Sequence, residues 1–142
     1  MCKTGRAQCN PFLPLTTHHS LLDLELGVDD VVLTLAAVAD RLGNGLNALF
    51  ACHRVAGTLQ WLGARFGIYF GITGLVASYR DAVRHQRERM LRFIALAVKH
   101  GVYFHDYGGA ACHHGFCAAM TDADAEESLR RLDAAVKETT GR

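Results

Sequence analysis

The residues best able to do chemistry crowd into one stretch, Cys112-His113-His114-Gly115-Phe116-Cys117, with His105 a short way upstream. Thiols and imidazoles together are the ligand set of a zinc site, which places paired ligands at short, regular spacing. Here four residues separate Cys112 from Cys117, and no second Cys or His pair follows. Adjacent histidines can ligate a single ion only on a special backbone, so the spacing predicts no metal centre. A cysteine nucleophile would need a neighbouring base or positive charge to form its thiolate, and adjacency in sequence does not supply that geometry.

Other chemistries have weaker footing. The loop glycines form neither G-x-x-x-x-G-K-[ST] nor a G-x-G-x-x-G that opens a helix, so nucleotide binding has no support. The three lysines, Lys3, Lys99 and Lys137, each have an ordinary solvated setting. None is expected to be a nucleophile, which would require desolvation or crowding by positive charge. Trp61 and the aromatics at 66, 69, 70, 103, 104 and 116 fit a core better than a ligand box.

Composition excludes more than it assigns. Of the 142 residues half are hydrophobic and a fifth charged, as expected of one folded domain. A formal net charge of +1 gives no reason to expect a nucleic-acid or membrane-surface partner. The apolar runs are interrupted by Asp, Arg or Gly well short of the roughly 18 residues of a membrane span. The stretch 1–20 lacks the apolar run of a secretory signal. With an odd set of five cysteines, this predicts reduced thiols and a cytoplasmic location.

The elements that must position the cluster follow from periodicity. Residues 1–20, with both prolines, show no period and are read as a tail, leaving 21–142 as the domain. From Asp29, the residues Val32, Leu35, Val38, Leu42, Leu46 and Leu49 mark one helix face. Asp29 or Asp30 is expected to cap it, and Gly43 and Gly45 weaken it by about 1 kcal/mol each, with a break near Gly43 as the alternative. Thr58–Leu62 and Arg65–Phe70 read as strands around a turn at Gly63, and Gly67 marks a bulge or a close approach.

A long helix is expected over Ser78–His100, with Val83, Met90, Ile94 and Ala97 inward, a solvated basic face, and Gly101 as its stop. Val102–His105 and Phe116–Ala119 read as short strands around the glycine-rich loop Gly108–Gly115. Thr121 to Asp124 opens a last helix as a capping box, with Leu129, Leu132 and Val136 inward. The order predicts an α+β fold, a small antiparallel or mixed sheet covered by helices.

Four segments in this order carry a resemblance: Arg65-Phe66-Gly67-Ile68-Tyr69-Phe70, then Ser78-Tyr79-Arg80-Asp81-Ala82, then Lys99-His100-Gly101-Val102-Tyr103-Phe104, and the helix start Thr121-Asp122-Ala123-Asp124. Together they resemble the C-terminal small domain of class III pyridoxal-phosphate-dependent aminotransferases, especially the glutamate-1-semialdehyde aminomutase branch. That family has a "GIFF"-like strand, a "Y-x-D-A" helix start, a "GVY" strand and an "HT-x-x-D" helix. The chain departs in a longer loop, Asp106 to Phe116, where His113 and His114 replace an acid, and in Met120 where the family has His.

The resemblance implies a small domain that closes over pyridoxal phosphate and an amino-acid-like substrate held by a large domain. The lysine that bonds the cofactor would lie in that large domain, so the chain alone is expected to be inactive. The large domain, or further copies of this chain, would be its partner. By the same resemblance the loop from His105 to Cys117 faces substrate, with His113 and His114 as hydrogen-bond partners for a carboxylate or amine. A histidine satisfying a buried carbonyl is the competing role for either. The alternative function is a stand-alone α+β binding or regulatory module without chemistry.

Overall fold

The computed structural model describes residues 27–111 and 114–140. The expected tail at 1–20, the domain start at 21, and Cys112 and His113 of the loop lie outside these residues. The fold is α+β: among the described residues, four helices and a three-stranded antiparallel sheet in the order β1-β2-β3.

Helix α1 runs unbroken over Val28–Cys52. Val28 is already helical, so Asp29 and Asp30 come too late to cap it. Gly27 holds the cap position, and both carboxylates meet the positive end of the helix dipole in the first turn. The buried stripe starts at Val38 and continues through Leu42, Leu46 and Leu49, while Val32 is exposed. The expected weakness at Gly43 is offset by packing. A Cβ there would stand 2.5 Å from the Trp61 ring, and one at Gly45 would stand 2.5 Å from Leu129 Cδ1. The two glycines therefore let α1 approach the sheet and the last helix closely.

Strands β1 (Gly57–Leu62) and β2 (Arg65–Phe70) pair in unbroken register from Gly57↔Phe70 to Leu62↔Arg65. Gly63, at φ +55°, makes the tight reversal. Gly67 marks a close approach rather than a bulge, because the Tyr69 ring lies 3.2 Å from where its Cβ would be. Alternation sends Leu59, Phe66, Ile68 and Phe70 inward. Asn47 of α1 blunts the free edge of β1. Its Oδ1 accepts from Leu59 N at 2.7 Å and its Nδ2 donates to Leu59 O at 2.9 Å.

The expected helix over Ser78–His100 is two helices. Ser78 and Asp81 form a capping box on a single turn, α2 (Tyr79–Ala82), and the chain breaks before α3 (Arg87–Lys99). The break is imposed by the end of β2. Phe70 N donates to His85 Nδ1 at 2.9 Å, and Gln86 N donates to Phe70 O at 2.9 Å. Val83, expected inside, is therefore 57% exposed, while Met90, Ile94 and Ala97 are buried as expected. Gly101, at φ +81°, follows the end of α3.

Neither Val102–His105 nor Phe116–Ala119 is a strand. The third strand is the two-residue β3, His114–Gly115, paired with Arg65 and Phe66 of β2. Phe104 still reaches the core, without a ladder, and Phe116 N makes a single bond to Ala64 O. Helix α4 (Asp122–Thr139) opens on the expected capping box of Thr121 and Asp124. It packs on α1 and α3, while α1 covers β1 and α3 covers β2. One core results, with Phe50 meeting Phe70 and Phe93 edge to face and those two rings tilted against each other at its centre.

The expectation of reduced thiols holds for Cys117, an exposed free thiol, and not for Cys52, which is disulfide-bonded. An odd cysteine count says nothing of which pair folding brings together. Among the described residues no helix is long and apolar enough to cross a membrane.

Candidate functional site

The strand pairing places His114. Directly opposite Phe66 in the antiparallel ladder, it must project to the same face of the sheet as Phe66, which is the core face. Its ring lies 5.2 Å from Phe66, 5.3 Å from Phe104 and 6.1 Å from Tyr107, centroid to centroid. Phe116, two residues on, stacks on Phe66 at 4.4 Å. His114 is 7% exposed. Its Nε2 is fully buried and has no hydrogen-bond partner among the described residues.

An unpaired buried polar atom costs about 1–3 kcal/mol, so this one needs an explanation. One lies alongside. His114 lines a cleft of about 390 Å³ between the sheet, α1, α4 and the segment after α3. Leu42, Leu46, Leu59, Phe66, Phe104 and Leu132 form its apolar walls, and Tyr103, His105, Tyr107 and Ser128 add polar atoms. Size and lining are those of a small-molecule site, mostly apolar with a few placed polar groups.

The imidazole in this wall is held neutral. Burial is the main cause that lowers the His114 pKa below the usual histidine value, and the charge of His105 adds to it. His105 stands at the mouth, its Nδ1 sharing a 3.2 Å hydrogen bond with Tyr103 Oη and its ring 4.3 Å from that of Tyr107. His114, expected as a hydrogen-bond partner for a substrate carboxylate or amine, thus lies in the cleft wall with its pKa lowered. His113, its expected companion, lies outside the described residues. Of the aromatics expected in the core, Phe66, Phe70 and Phe104 are buried there, Trp61 and Phe116 pack against it, and Tyr103 is exposed. Phe66, Tyr103, Phe104 and Phe116 also line the cleft.

Sequence reasoning missed the residue that ties down the loop carrying Tyr107 of the cleft. His85 receives Phe70 N on Nδ1, so its proton sits on Nε2, which donates to Gly109 O at 3.1 Å. Burial lowers its pKa despite these bonds. His85 thereby clasps the loop to the end of β2. Asp106 Oδ1 turns the same loop by accepting from Gly108 N at 2.7 Å and Gly109 N at 3.1 Å, with both glycines at positive φ. Arg87 Nε donates to Gly108 O.

Pyridoxal phosphate does not fit the described residues as a resident cofactor. No described lysine lines the cleft. Lys99 is exposed and paired with Glu138 Oε2 at 2.8 Å, and Lys137 is exposed on α4. Among the described residues no lysine or arginine lines the cleft to meet the phosphate. Among the described residues no three His, Cys, Asp or Glu side chains converge as a metal site would require. No protein-family model matches the chain.

Proposed function

We propose that the chain is a substrate-contacting small domain of the aminotransferase type, working against a large domain that supplies pyridoxal phosphate and its lysine. The observation that carries the reading is the cleft with the unpaired His114 Nε2 in its wall. Two of the four family-like segments supply lining residues to it, Phe66 from β2 and Val102, Tyr103 and Phe104 from the segment after α3. In this reading the domain binds and shields an amino-acid-like substrate, and this chain moves no proton. Tyr103, largely exposed beside the mouth, and the apolar Leu62 and Leu75 are surfaces a partner domain would cover.

Borohydride trapping of the purified chain with pyridoxal phosphate, followed by peptide mapping, tests the division of labour. The expected result is scattered, low-level labelling. One stoichiometrically modified lysine, lost on substitution to Ala, would overturn it. Addition of a separately made large domain should then give a one-to-one complex by light-scattering mass, with turnover lowered by His114→Ala.

A stand-alone binding module is the second reading. It is favoured by the cleft's walls coming from this chain's own core residues, so that a ligand needs no second domain to be enclosed. Ligand binding without any change in association state, and no complex with the large domain, would select it.

A further inference from the structure

From the lining of the cleft we infer the substrate class: an amino acid whose side chain is aromatic and uncharged, with the ring inside the cleft and the charged amino and carboxylate groups at its rim. This rests on the reading of the chain as the substrate-contacting part of a two-domain enzyme, and adds which side chain the substrate bears. The split between inside and rim follows the lining residues. Leu42, Leu46, Leu59 and Leu132 are buried residues that also line the cleft, so its depth is largely hydrocarbon. Tyr103, His105 and Tyr107 line it and are exposed, so they mark its opening to solvent.

Charge decides which end of the substrate goes in. Among the described residues no Lys, Arg, Asp or Glu lines the cleft. A charged side chain would therefore lose its hydration there and gain no counter-charge, which is costly. At the rim the same charges keep their water and meet a polar pair, Tyr103 Oη and His105 Nδ1, which lie 3.2 Å apart. The walls then favour a ring over a branched chain. Phe116 stacks on Phe66 at 4.4 Å and Phe104 meets Phe66 edge-on at 6.4 Å, and all three line the cleft. A further ring joining such a cluster gains attraction beyond the area it buries. The volume of about 390 Å³ exceeds the roughly 150 Å³ cavity that admits one benzene, so a phenyl or an indole is accommodated.

Titration of the full chain with L-phenylalanine, L-leucine, L-glutamate and 4-carboxy-L-phenylalanine, followed through the methyl NMR signals of the lining leucines, separates these claims. L-phenylalanine should saturate and move the signals of Leu42, Leu46 and Leu132. L-leucine should bind about threefold more weakly, and the two acids with charged side chains about tenfold or more weakly. L-phenylalanine amide, which lacks the carboxylate charge, should bind within about threefold of L-phenylalanine, because that charge stays at the rim. Ser128→Phe adds bulk at a lining position on α4 and should weaken L-phenylalanine about tenfold.

Binding of L-glutamate or 4-carboxy-L-phenylalanine as tight as that of L-phenylalanine would overturn the inference. So would leucine methyls unmoved by L-phenylalanine up to its solubility, or an amide that binds more than about tenfold more weakly. These readouts use the unmodified chain, so they stand even where Ser128→Phe fails to fold. The light-scattering mass with a large domain reports separately on the two-domain reading. Selective binding without that complex keeps the side-chain preference and removes the enzyme, and a complex without selective binding does the reverse.

Discussion

His114→Phe should make the protein more stable, and more so as the pH falls. At pH 7.5 the change removes the unpaired Nε2, worth about 1–3 kcal/mol, and offers Phe66 and Phe104 a third ring at 5.2 and 5.3 Å. His114 is a wall residue of the cleft, so the larger side chain is not enclosed on every side. A net gain of about 1–2 kcal/mol is expected, after allowing for imperfect fit. For a chain of this length that raises the melting temperature by roughly 3–6 °C. His114→Ala removes the same polar atom and leaves a hole, so it should gain nothing or lose about 1 kcal/mol.

The pH dependence has a definite sign. Burial holds the folded-state pKa of His114 below its unfolded value of about 6.5. Between those two values the unfolded chain carries a proton that the folded chain does not, so stability falls as the pH drops through 6.5 toward the folded pKa. From pH 7.5 to 5.5 the loss approaches about 1.4 kcal/mol if His114 stays neutral throughout. Lowering His85 by burial produces a loss of the same sign, but in the native chain and the variant alike. The depressed carboxylates act at lower pH, as with Glu127, brought down to about 2 by hydrogen bonds from Arg130 and Arg131. Urea denaturation of both proteins at pH 7.5, 6.5 and 5.5 isolates the difference. A variant that is folded yet less stable at pH 7.5, or a gap that does not widen toward pH 5.5, would refute the neutral, unpaired imidazole.

Two further changes test how the scaffold holds the cleft. Gly45→Ala should gain about 1 kcal/mol of helix propensity and lose about 1–3 kcal/mol to overpacking against Leu129, for a net loss near 1 kcal/mol in the urea midpoint. In a Leu129→Ala background the same change should turn stabilising, and a stabilising Gly45→Ala on its own would mean that α1 and α4 are not in close contact. Asn47→Ala should cost about 1–3 kcal/mol, since it strips both hydrogen bonds from the backbone of Leu59 at the edge of β1. Unchanged amide exchange at Leu59 in that variant would show that the edge is not held from α1.

The parts legible in the sequence are those fixed by local chemistry. A run of apolar residues at steps of three and four marks α1, and the Thr121 to Asp124 box opens α4 where expected. Gly63 is read correctly as a turn because only a residue at ease with positive φ reverses the strands so tightly. The break between α2 and α3 carries no such mark. Residues 83–86 contain neither Gly nor Pro, and their helical alternative is lost to two hydrogen bonds from Phe70, a partner some 15 residues away. β3 is too short for any period to register, and its identity rests wholly on β2 offering it an edge.

The cleft is built almost entirely from segments of this second kind. His114 is buried because Phe66 lies opposite it, not because its own neighbours are apolar. The loop beside it is held by His85, a residue that looks from sequence like one more polar position on a basic helix. His85 could serve as a clasp only once the helix had broken, since both of its ring nitrogens are spent on backbone groups outside the helix, Phe70 N and Gly109 O. The same residue that defeats the helix periodicity therefore holds the loop that carries Tyr107, a lining residue of the cleft. A substitution that restored helix through 83–86 would free Phe70 N and Gly109 O at once. It should loosen the loop and the ligand preference together, while the contacts of α1 with α4 remained in place.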